Sequence, residues 1–76
     1  MKANKTSKEY RKLNDFIRGA MRRKKVSQEE LAYALNLTQP LISYRLSGKV
    51  DWTVWELLNV FEFLEVEFDY NEKEKT

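Results

Sequence analysis

The stretch 27–49, SQEELAYALNLTQPLISYRLSGK, limits the fold more than any other part of the chain. Ser27 stands three residues before Glu30, the spacing of a capping box. In that motif the serine oxygen takes an orphan backbone N–H and the glutamate reaches back to the cap. Leu31, Ala32 and Leu35 then supply one inward face,. Asn36 follows, a residue that tolerates the left-handed conformation that ends a helix abruptly. Thr38 caps a second helix, and Pro40 is tolerated just inside it because first-turn N–H groups lack helical partners. Ile42 and Leu46 give that helix its inward contacts, and Gly48 closes it,. Two short capped helices with a tight break make a helix-turn-helix.

These residues resemble the helix-turn-helix of the lambda-repressor and Cro-like family, also called the XRE family. The likeness is carried by Gln28 after the cap, Leu31-Ala32, apolar Leu37, Thr38-Gln39, Ile42-Ser43 and Gly48-Lys49. A looser likeness runs from about residue 10 to about residue 66. Three positions depart from the pattern. Asn36 stands where the family usually has Gly, and Pro40 replaces a side chain that often reads bases. Arg45 occupies a commonly apolar position, which leaves the core role to Leu46. The resemblance implies an all-α, compact four- to five-helix domain that binds double-stranded DNA, and a phage or mobile-element setting. Members that bind proteins instead keep a second function class open.

North of the motif, Thr6 with Glu9 forms another capping box. Tyr10, Leu13, Phe16, Ile17, Ala20 and Met21 then recur at helical spacing, predicting a helix over 7–24,. Gly19 inside it costs roughly 1 kcal/mol relative to alanine, a cost that close approach of another helix would explain. Arg22, Arg23, Lys24 and Lys25 crowd its end, where cations suit the helix dipole and also suit phosphate,. Beyond the motif, Thr53 with Glu56 predicts a helix to about Leu64,. Its apolar residues are too many for one face. Val54, Leu57, Leu58, Phe61 and Leu64 suffice to cover a core, so Trp55, Val60 and Phe63 are expected at a dimer or partner interface,. From Glu65 to Tyr70 apolar residues alternate, which reads as an irregular turn or a short strand, with Phe68 and Tyr70 extending the candidate interface,. The organisation is therefore a flexible basic N-terminus over 1–6, one domain over 7–66 and an acidic, charged tail over 67–76.

Charge and composition narrow the function. Residues 1–25 hold ten Lys and Arg against Glu9 and Asp15, a net of +8. Residues 26–50 balance, and residues 51–76 hold eight acids against Lys73 and Lys75, a net of −6. A basic side suits a polyanion and an acidic side faces elsewhere. The absence of Cys and His removes disulfides, thiolate metal sites and the usual catalytic bases and nucleophiles,. No enzyme, metal or cofactor is expected, and no membrane span or signal segment is visible. A cytoplasmic location is the default.

If the second motif helix enters the major groove, its N-terminal residues meet base edges first. Gln39 is the best base reader, because its amide matches adenine N6 and N7. Pro40 and Leu41 suit thymine methyls, and Ser43 and Tyr44 are further candidate contacts,. The resemblance places Gln28 on a phosphate. Thr38, Lys49, Arg22 and Arg23 join it as phosphate candidates, and Arg45 either does likewise or bridges to an acid such as Glu56,. The expected function is a sequence-specific transcriptional regulator of repressor type, a homodimer on an operator DNA. The alternatives are an antirepressor or modulator that binds a repressor protein, and the antitoxin of a toxin–antitoxin pair that binds a toxin.

Overall fold

The computed structural model describes residues 8–67. Within them lie α1 (Lys8–Lys24), α2 (Gln28–Leu35), α3 (Gln39–Leu46) and α4 (Val54–Leu64). There is no strand among the described residues. The expected N-terminal cap at Thr6, the flexible 1–6 segment, and the tail with Phe68 and Tyr70 lie outside the described residues, as would a fifth helix.

Each helix start is written in local chemistry. Ser27 Oγ accepts from Glu30 N at 3.0 Å while Glu30 Oε1 accepts from Ser27 N at 2.8 Å. Thr53 and Glu56 repeat the arrangement at 3.1 and 3.0 Å. Thr38 caps α3 more simply, its Oγ1 accepting from Leu41 N at 3.4 Å. All three starts follow the capping expectation, since the partners sit three residues apart and need no tertiary help.

The helix ends share one device. Lys25, Asn36, Gly48 and Glu65 all have positive φ, at 59°, 59°, 85° and 58°. Behind each, paired backbone bonds close the last turn, as in Val26 N to Met21 O at 2.9 Å and Leu37 N to Ala32 O at 2.8 Å. This is the Schellman pattern, in which the residue after the left-handed one bonds back across the turn. Val26, Leu37 and Val66 follow three of these ends and pack against the core. Asn36 and Gly48 suit the conformation, but lysine and glutamate do not favour it. Burial of the next apolar residue carries the chain through at Lys25 and Glu65. The turn at Glu65 stands where the alternating pattern allowed a strand to begin.

The core gathers Ile17, Ala20 and Met21 of α1, Leu31 and Ala32 of α2, Ile42 and Leu46 of α3, and Val60 and Leu64 of α4. Each fully buried Ile, Leu or Val contributes about 1.5–3 kcal/mol by leaving water. The backbones of α1 and α2 each pack against both α3 and α4, whereas the backbones of α3 and α4 do not meet. Phe16 meets Phe61 edge to face, with ring centroids 6.4 Å apart.

Three expectations need correcting. The inward face of α4 is Leu57, Val60, Phe61 and Leu64, spaced i, i+3, i+4 and i+7, while Val54 and Leu58 point to solvent,. Val60 is fully buried and cannot belong to an interface. The second correction is Gly19, where an added Cβ would meet only the side-chain ends of Arg23 and Arg22, at 3.4 and 3.8 Å. No helix approaches there. The third is an omission, for Trp52 is a core residue. Its Nε1–H donates to Oδ1 of buried Asn14 at 2.7 Å, and its backbone N donates to Tyr10 Oη at 3.2 Å. Asn14 breaks the apolar stripe of α1 to serve as that acceptor, so the segment before α4 is tied to α1 and the outward choice of Val54 follows.

Candidate nucleic-acid interface

The first residues of α2 and α3 meet. Gln39 Nε2 donates to Gln28 Oε1 at 2.7 Å, joining the two helix starts across the connecting turn. Thr38 caps the helix that begins with Gln39 and Ser27 caps the one that begins with Gln28, so local capping sets where both amides stand. A glutamine amide has two donors and one acceptor. After this bond Gln39 still has a donor and an acceptor to offer, and Gln28 keeps both donors.

Along α3 the outward face centres on Pro40 and Tyr44, spaced i and i+4,. Pro40 is exposed, Tyr44 is 41% exposed, and Leu41 and Ser43 are half-buried on the flanks. Gly48 turns the chain back so that Lys49 Nζ sits 5.2 Å from the centroid of the Tyr44 ring. A cation over a ring face is held by the ring quadrupole. The ammonium thus lies beside the outward face of α3 at its C-terminal end.

Between the end of α1 and the start of α2 runs a shallow groove of about 410 Å³ lined by Arg22, Lys25 and Gln28, among others. Arg22 and Gln28, both phosphate candidates, therefore share one surface, and Lys25 of the same basic cluster joins them. Arg23 is exposed but does not line this groove. Thr38 is exposed and acts as a cap. Arg18 and Arg45 are engaged within the fold. Arg18, which no sequence pattern singled out, donates from Nη2 to Leu46 O at 2.6 Å and pairs with Asp15 at 3.3 Å. Arg45 takes the second of its two expected roles, its Nε lying 2.8 Å from Glu56 Oε1 with both side chains mostly buried. Burial pushes the Glu56 carboxyl up, but hydrogen bonds from Arg45 and Thr53 outweigh it and hold the group below its ordinary value,.

The interface candidates separate. Trp55 is 75% exposed and stands with Val54 and Leu58 on one side of α4. Phe63 faces another direction and lines a groove with Tyr33 and Ala34 of α2. Among the described residues no three acidic side chains gather as a metal-binding group, and no helix is long and apolar enough to cross a membrane. Compared with known proteins, the chain matches no family model, no curated protein and no solved structure.

Proposed function

We propose that the chain is a sequence-specific DNA-binding regulator, with α2, its turn and α3 acting as a helix-turn-helix and α3 lying in the major groove. The observation that carries this reading is the Gln39–Gln28 bond at 2.7 Å, which pre-orients a base-reading amide at an exposed helix start. Gln39 would read an adenine edge while Gln28 and Arg22 approach a phosphate. Tyr44 and Lys49 would extend the contact along the groove, with Lys49 on the backbone. One such domain covers few base pairs, so two copies on a pseudo-palindrome would supply the affinity, joined through Val54, Trp55 and Leu58. Occupancy of an operator in the cytoplasm would block or recruit polymerase.

The exposed Val54–Trp55–Leu58 surface also favours a second reading, a modulator that binds a protein and touches DNA weakly,. Selection from a random duplex library at two salt concentrations separates the two. Enrichment of a two-fold symmetric site with a steep salt slope supports the regulator; no enriched sequence supports the modulator. On the enriched site, Gln39→Ala should weaken binding by about 1–3 kcal/mol and relax preference at one base position. Lys49→Ala should weaken binding to every sequence and reduce the salt slope by about one. Parent-like binding by both variants would reject the proposed contacts.

A further inference from the structure

Helix α3 has only two fully inward residues, Ile42 and Leu46, spaced i and i+4. Two anchors in that spacing lie along one line parallel to the axis. A helix resting on such a line keeps both apolar contacts through a small rocking motion, so its lateral contacts, those with α2 and α1 among them, fix its tilt. α4 does not pack against α3 backbone to backbone. The Arg45–Glu56 ion pair joins them directly at 2.8 Å, with side chains 12% and 16% exposed. Arg45 is also tied to its own helix, Nη1 donating to Leu41 O at 3.3 Å. The oxygen that receives Arg45 Nε is the same Glu56 Oε1 that accepts Thr53 N at 3.0 Å in the cap of α4. The guanidinium is therefore keyed to a carboxylate whose own position is set by a helix start. One residue later, Leu46 O accepts from Arg18 of α1 at 2.6 Å, bracing the same turn of α3 from another helix.

We propose that Arg45 is a positioning residue that, through Glu56, sets the tilt at which α3 presents Gln39 and Tyr44, and so determines base preference rather than phosphate affinity. The inference rests on the DNA-binding reading for its consequence, but not for the orientation itself. Arg45 stands where an exposed cation would be expected to meet DNA; its charge is instead turned into the fold. A bidentate amide–base contact tolerates little change of angle, so a small rocking of α3 degrades preference before it alters the count of phosphates neutralised.

The test uses three variants of the full chain. Arg45→Met removes the strut and keeps an apolar stem. Glu56→Gln retains an oxygen acceptor for both Arg45 and Thr53. The double variant carries no unpaired carboxylate, which guards against a simple failure of Arg45→Met to fold. Residual dipolar couplings of backbone amides, measured without DNA, report the orientation of α3 relative to α4. A changed orientation in Arg45→Met and in the double variant, with a parent-like one in Glu56→Gln, supports the proposal. A parent-like orientation in all three overturns it. On a sequence enriched by the parent, loss of Arg45 should reduce discrimination at the bases facing α3 by about tenfold with an unchanged salt slope. A salt slope lowered by about one with discrimination intact would make Arg45 a phosphate contact and overturn the proposal. Should the parent enrich no sequence, the DNA-binding reading fails separately, and the couplings alone decide whether Arg45 orients α3.

Discussion

Glu56 answers two donors with one oxygen, and that makes its protonation a stability question. Burial raises its carboxyl, yet the bonds from Arg45 and Thr53 prevail and the group lies below the ordinary 4.5. A carboxyl depressed in the folded chain stabilises it fully above the unfolded value, and this contribution disappears as pH falls through the folded value. The parent should therefore exceed Glu56→Gln in urea midpoint at neutral pH, and the gap should close below about pH 4.5,. Other acids titrate in both proteins, so the difference isolates Glu56. A gap that stays constant down to strongly acid pH would show that the carboxylate charge contributes nothing.

Helix ends are where this sequence and its backbone disagree. Asn36 and Gly48 are residue types that accept positive φ, and those two ends are readable from the chain,. Lys25 and Glu65 adopt it as well, against their preference, because Val26 and Val66 behind them are packed on the core. Relief of that local conflict is measurable. Glu65→Gly removes a Cβ from the left-handed position, at some cost in unfolded-chain entropy, for a net gain of about 0.5–1 kcal/mol. In a domain of this size that should raise Tm by roughly 2–8 °C. A lower Tm would mean that the Glu65 side chain makes a stabilising contribution of its own.

Across the whole molecule, charge and apolar exposure are divided. The basic groove of Arg22 and Lys25 stands at the junction of α1 and α2, and Trp55 stands on α4. Residues 50–67 contain no Lys or Arg, while Asp51, Glu62, Glu65 and Glu67 are exposed acids. If two copies join through Val54, Trp55 and Leu58, like charges approach and added salt should tighten the dimer while it loosens DNA. Sedimentation at rising salt should show the dimer fraction grow in the parent and fall sharply in Trp55→Ala. Parent-like sedimentation of Trp55→Ala would place any self-association elsewhere.

What the sequence determined by itself is local: the caps at Ser27, Thr38 and Thr53, the stripe of α1, and the short break between α2 and α3. These depend on chemistry between residues three or four apart, which the chain order alone specifies. The candidate surface residues Gln39, Pro40 and Tyr44 were legible for the same reason, since two inward positions on α3 imply the outward ones. Only the tertiary structure decided which stripe of α4 turns inward. Its apolar residues allowed more than one face, and the choice followed contacts with α1 and α2 and the distant pairing of Trp52 with Asn14. It also decided between two partners for Arg45, because a guanidinium goes to the carboxylate that folding brings within reach. The bond between Gln28 and Gln39 arises at the meeting of both levels: local caps place two helix starts, and the packing of α2 on α3 brings their amides together.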